Sequence, residues 1–120
     1  MSKLKEQGNV AFKEKDFEKA VEIFSQAIKE NPDDHTLWGN RSAAALKLGK
    51  SADALADAET CIDLKPDWAR GWQRKAYALQ ALGRKEEALV AFEKGYDVDP
   101  TNTALIKEMS QLKVEVDSEK

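Results

Sequence analysis

The only prolines of the chain fall at Pro32, Pro66 and Pro100, two steps of 34 residues. A residue that ends helices, recurring at a fixed interval, imposes a unit length on whatever the chain folds into. Four further series repeat at that step: Ala20, Ala54 and Ala88; Leu4, Trp38 and Trp72; Val21, Leu55 and Leu89; Ile28, Ile62 and Tyr96. Repetition of this kind marks a stack of small units rather than one irregular core. With proline at position 32 of each unit, the repeats span residues 1–34, 35–68 and 69–102, and residues 103–120 are left over.

Each unit reads as two helices. Seventeen alanines and little apolar/polar alternation favour helix nearly throughout. Gly49 and Gly83 stand at position 15 of their units, where a helix end needs a left-handed residue; the first unit has Lys15-Asp16 there. Asp16 and Ser51 are the expected N-caps of second helices, and Asp33 and Asp67 those of the first helices that follow. Leu105, Ile106, Met109 and Leu112 lie at helical spacing, so 103–116 is expected to form a capping helix over the last repeat, with 117–120 frayed. The fold class is therefore all-α.

Nineteen Lys and Arg against 22 Asp and Glu leave a net charge of −3. No bulk positive field draws such a chain to nucleic acid or an acidic membrane, so a partner must be recognised locally. The aromatic and basic run Trp68 to Lys75 does not change this, since Trp72 lies about 200° from Arg70 on a helical wheel and faces the core. Cys61 is the single cysteine and His35 the single histidine, which excludes an internal disulfide and a His/Cys zinc site. Cys61 reads as a buried small apolar side chain and His35 as a surface residue. Gly49-Lys50-Ser51 ends like a phosphate-binding loop, but Ala44 stands where its opening glycine belongs. No nucleophile and base, metal cluster or cofactor fingerprint emerges, and neither enzyme activity nor a cofactor is expected. The longest apolar run, Ala88 to Phe92, is far too short to span a bilayer. A monomeric, cytoplasmic protein is expected, beginning naturally at Met1.

On a 100° wheel, positions 4, 7, 8 and 11 of the first helix of each unit share one arc of about 100°, while positions 2, 5, 6, 9 and 13 share the opposite one. The first arc carries Leu4, Trp38 and Trp72 with the small residues Gly8, Ser42 and Ala76, which suits close helix packing. The second collects Lys5, Lys13, Lys47, Arg70 and Arg74 against the single carboxylate of Glu6, together with Asn9 and Asn40. A basic stripe on an acidic chain is a candidate surface for an anion, because the repulsion among its cations is relieved when a ligand neutralises them.

The 34-residue helix-turn-helix pattern, with alanine at position 20, Phe24 and Phe92 at position 24 and proline at 32, resembles the tetratricopeptide repeat over essentially the whole chain. Ala58 replaces the aromatic in the second unit, and Cys61 and Gly95 replace the usual alanine at position 27. The resemblance implies a right-handed superhelical array of three repeats plus a cap, with the first helices lining its concave side. Within that family, Lys5 with Asn9, Asn40, and Arg70 with Arg74 resemble the two-carboxylate clamp of chaperone-binding members. Segments 37–44 and 63–68 are similar to the first repeat domain of co-chaperones that link heat-shock proteins 70 and 90. Arg70 stands where that class usually has lysine, which keeps the charge and changes the donor geometry.

By that resemblance the partner is the C-terminal Glu-Glu-Val-Asp tail of heat-shock protein 70 or 90, and the chain is a co-chaperone adaptor module. Lys5, Asn9 and Asn40 would donate to the terminal carboxylate, Arg70 to the aspartate side chain, and Arg74 would support the last residues or their backbone. Phe12 and Ala43 would flank a pocket for the valine, and Lys47 would meet an upstream glutamate. Two other readings stand beside this one: a scaffold that holds an internal segment of another protein, and the targeting domain of a phosphatase or prolyl isomerase.

Overall fold

The computed structural model describes residues 2–119; Met1 and Lys120, the outer ends of the expected first repeat and tail, lie outside them. Within those residues run α1 (Ser2–Lys13), α2 (Phe17–Glu30), α3 (His35–Lys47), α4 (Ser51–Leu64), α5 (Ala69–Ala81), α6 (Lys85–Val98) and α7 (Thr103–Ser118). They contain no strand. Each helix packs on the next in chain order, and α1 also touches α3 as α3 touches α5. This is the all-α repeat array that the periodicity predicts.

The turns inside the units follow from one backbone angle. Gly49 and Gly83 have φ of +78°, and Lys15 has +64°. A left-handed residue there lets the next amide donate five residues back, Asp16 to Ala11, Lys50 to Ala45 and Arg84 to Leu79, each at 2.9 Å. Glycine adopts this angle freely, whereas Lys15 carries the steric cost of its Cβ. Between units, the C-cap amides of Asn31, Lys65 and Asp99 bond to Ala27, Cys61 and Gly95, and the proline that follows stops the ladder. Two indoles then fasten the linkers: Trp38 Nε1 donates to the Pro32 carbonyl at 2.8 Å and Trp72 Nε1 to the Pro66 carbonyl at 2.9 Å.

Asp16 caps α2, accepting from the Lys19 amide. The other expected caps shift by one residue. Asp34 rather than Asp33 caps α3, and Trp68 rather than Asp67 occupies that position before α5 without a side-chain bond. The reason is the turn after each proline, in which the amides of Asp34 and Trp68 donate to Asn31 and Lys65, so Asp33 and Asp67 are spent inside it. Ser51 lies inside α4, with Lys50 at the cap position.

Packing explains the recurring small residues. Ala20, Ala54 and Ala88 are fully buried, as are Phe24, Ala58 and Phe92. A Cβ on Gly8 would collide with the Phe24 ring, Ser42 Oγ donates to the Ala54 carbonyl at 2.7 Å, and Ala76 is fully buried. Large side chains at these positions would push the two helices of a unit apart. A half-buried ion pair adds a polar tie that no pattern announces: Arg41 grips both oxygens of Asp57 at 2.8 Å and reaches Ser25 at 3.1 Å.

Leu105, Leu112 and Val116 of α7 are buried over the last repeat, with Ile106 and Met109 half-buried. The helix runs to Ser118, two residues beyond the expected end at Val116, so Asp117 and Ser118 are helical rather than frayed. Glu119 then pairs with Lys85 of α6 at 2.8 Å. Lys15→Gly removes the backbone cost of the first turn and is expected to stabilise the fold by about 1 kcal/mol, while Gly49→Lys costs about the same. Urea denaturation midpoints of the two variants check this.

Candidate functional site

Because α1, α3 and α5 lie side by side, side chains one helical turn apart on each converge on one cleft of about 450 Å³. α1 contributes Lys5, Asn9, Phe12 and Lys13; α3 contributes Thr36, Asn40 and Ala43; α5 contributes Arg70 and Arg74, with Trp68 just before it. Four cations and two carboxamides thus line the cleft, and no carboxylate of the described residues does. The five residues of the expected clamp, Lys5, Asn9, Asn40, Arg70 and Arg74, all lie in it. Phe12 and Ala43 lie there too. Lys47 does not; it lines an adjoining cavity that shares Phe12, Ala43 and Arg74 with the first.

The polar groups are held in place by one another. Lys5 Nζ lies 3.4 Å from an oxygen of Asp34. Burial works to raise the Asp34 carboxyl, but the Thr36 hydroxyl and amide, with Lys5, outweigh it and hold the group below the usual carboxylate range. Asn40 Nδ2 donates to Asn9 Oδ1 at 3.2 Å, which ties the amides of two helices together and leaves the Asn9 amide protons without an acceptor among the described residues. Arg70 lies against Trp68, its guanidinium 5.8 Å from the ring centroid. His35, expected on the surface, is half-buried with its ring edge-on to Trp68 at 4.8 Å.

Arg74 has the least satisfied position. Its Nε is sealed from solvent without a hydrogen-bond partner, and burial, reinforced by the Arg70 charge, lowers its pKa from the normal guanidinium value. It remains a cation, since a guanidinium does not deprotonate in a protein. A shielded cation with an orphaned N–H is costly, and an anionic acceptor offsets that cost. The cleft is therefore built to take up negative charge carried by groups that accept several hydrogen bonds at once.

Sequence reasoning missed Trp68 and Asp34. Trp68 precedes α5, so no wheel assigns it a direction, yet its ring closes on Gly39, His35 and Arg70. Asp34 comes into reach of Lys5 only through the shifted cap. A larger cleft of about 570 Å³ on α1 and α2 mixes Lys3 and Lys19 with Glu6 and Glu14 and gathers no set of like groups.

Profiles of the tetratricopeptide repeat family match residues 5–67 and 69–102. The chain belongs to that family. It is 50% identical to the STIP1 homolog of Dictyostelium discoideum over 104 residues, covering 87% of this chain and 18% of that protein. It is 40% identical to heat shock protein STI1 of Saccharomyces cerevisiae, covering 90% of this chain and again 18% of the relative. The chain thus spans about a fifth of the length of these curated relatives. Among solved structures, the yeast Sti1 TPR2B domain in complex with an Hsp70 peptide superposes with a TM-score of 0.90 at 27% identity, covering 99% of this chain and 97% of that one. The first TPR of Spaghetti (RPAP3), bound to the HSP90 peptide SRMEEVD, superposes with a TM-score of 0.89 at 26% identity, covering 94% and 90%.

Cys61 of α4 is fully buried against Gly39 and Gly71, and burial pushes its thiol up to about 11. The folded state therefore holds this proton where the unfolded chain, with a value near 9.0, has lost it, so stability falls as pH rises between about 9 and 11. At pH 8 we expect iodoacetamide to label Cys61 at least tenfold more slowly in the native protein than in urea. Labelling followed by mass spectrometry checks this.

Proposed function

We propose that the cleft captures the free C-terminus of an acidic peptide, the Glu-Glu-Val-Asp tail of heat-shock protein 70 or 90, and that the chain is a co-chaperone adaptor module of the cytoplasm. The observation that carries this reading is the convergence of Lys5, Asn9, Asn40, Arg70 and Arg74 on one cleft without a carboxylate, with the Arg74 Nε–H shielded and lacking an acceptor. A relative from Triticum aestivum named Hsp70-Hsp90 organizing protein, 46% identical over 84% of this chain, and the neighbouring folds solved with Hsp70 and HSP90 peptides support it.

A C-terminal aspartate carries two carboxylates on adjacent carbons. Lys5, Asn9 and Asn40 come from α1 and α3 and donate to the main-chain carboxylate; Arg70 of α5 donates to the side-chain one. Arg74, deeper in the cleft, takes a carboxylate or the carbonyl before it. Each charge-assisted bond contributes about 1.5–3 kcal/mol net. Phe12 and Ala43 offer the apolar wall for the penultimate valine. The reading gives the chain no chemical step of its own: it holds one protein end and carries it to whatever else the parent molecule binds.

Few groups make these contacts, so affinity for the isolated peptide is expected on the order of micromolar, about −8 kcal/mol. Isothermal titration with Gly-Gly-Glu-Glu-Val-Asp tests the reading. Arg74→Ala is expected to weaken binding about 30-fold or more, and amidation of the peptide's C-terminus to abolish it. Equal binding by the amidated peptide would mean that the groove takes internal segments instead.

A further inference from the structure

The second cavity, of about 600 Å³, continues the first, since Phe12, Ala43 and Arg74 line both. A chain whose end is held at Asn9 and Asn40 enters it with the residues upstream of its tail. Unlike the first cleft, it contains a carboxylate: Glu108, from the middle of α7. That carboxylate is fixed in place. Gln73 Nε2 donates to Tyr77 Oη at 2.9 Å, and Tyr77 donates to Glu108 Oε1 at 2.5 Å. The tyrosine is in turn wedged edge-on against the buried Phe92, with ring centroids 5.8 Å apart. The other carboxylate oxygen has no hydrogen-bond partner among the described residues. Lys47, in the last turn of α3, lines the same cavity.

We propose that Glu108, positioned by Tyr77, is a specificity-determining residue that favours ligands carrying a cation, rather than a carboxylate, just upstream of the acidic tail. This rests on the peptide-end reading above. An extended ligand turns successive side chains to opposite sides. The second cavity then meets its side chains with the cations of Lys47 and Arg74 and, from α7, with the single oriented carboxylate of Glu108. The tail is pulled in by positive charge, and the stretch before it is screened by a negative one. A carboxylate there meets like charge in a partly shielded site, and a guanidinium or ammonium meets an acceptor already oriented. Selection of this kind works as much by repelling the wrong partner as by attracting the right one.

The test compares three peptides: acetyl-Glu-Glu-Val-Asp, the same tail preceded by Arg-Arg, and the same tail preceded by Glu-Glu. Two upstream residues cover both faces of the extended chain. Fluorescence anisotropy measures each against the wild-type protein, Glu108→Gln and Glu115→Gln. Glutamine still accepts from Tyr77, so the helix and its contacts stay intact, and Glu115 is an exposed acid of the same helix that lines neither cavity. The ratio of Arg-Arg to Glu-Glu affinity is expected to fall at least threefold in Glu108→Gln and to stay unchanged in Glu115→Gln, while the unextended tail binds all three proteins alike. Tail binding with an unchanged ratio in Glu108→Gln, or an equal fall in both variants, overturns this inference and leaves the peptide-end reading standing. Failure of the unextended tail to bind any of the three overturns both.

Discussion

The approach of the two helices within each unit sets everything else. Gly8 lies against the Phe24 ring, Ser42 bonds to the Ala54 carbonyl and Ala76 is fully buried, so none of these first-helix positions leaves room for a larger side chain. Close contact fixes the rotation of each first helix about its axis, because only one face is small enough to lie down. Once that face is turned inward, the opposite arc is turned into the groove, and Lys5, Asn9, Asn40, Arg70 and Arg74 reach it as a consequence of packing elsewhere. The charged and amide side chains of the cleft stay out of the core, while buried Phe24 and Ala43 reach its floor and Ser42 the adjoining cavity. The candidate groove and most of the core thus occupy opposite sides of the same three helices.

The groove itself balances electrostatic cost against function. Four cations share one cleft, with Lys5 partly neutralised by Asp34 and Arg70 lying against Trp68, while Arg74 has neither kind of support. Interactions among half-shielded charges are stronger than among solvated ones and less weakened by salt. An anion that enters relieves the repulsion and satisfies the orphaned donor in one step. The amide pair Asn9 and Asn40 adds direction to this attraction, since a carboxamide accepts and donates along fixed lines where an ammonium does not.

Much of this was legible in the residues before any coordinate. A period of 34 residues, prolines as stops, glycines at left-handed turns and the wheel of the first helices together lead to the array and to its basic arc, which the resemblance to chaperone-binding repeats narrows to five residues. What stayed hidden depended on contacts between residues far apart in the chain. Lys5 meets Asp34 across 29 residues, Arg41 meets Asp57 across 16, and Tyr77 meets Glu108 across 31. None of these pairs lies at the repeat spacing, so periodicity carries no trace of them. The caps slipped by one because the turn after each proline takes up a residue that looks like a cap, and Trp68 escaped because a residue outside a helix has no helical phase.

The most direct measurement is a structure of the chain with a Glu-Glu-Val-Asp peptide bound. The account predicts the terminal carboxylate within hydrogen-bonding distance of Lys5, Asn9 and Asn40, the last side chain at Arg70, and an acceptor on Arg74 Nε. A peptide that crosses the groove with its end in solvent, or that lies on the outer face of the second helices, would contradict it.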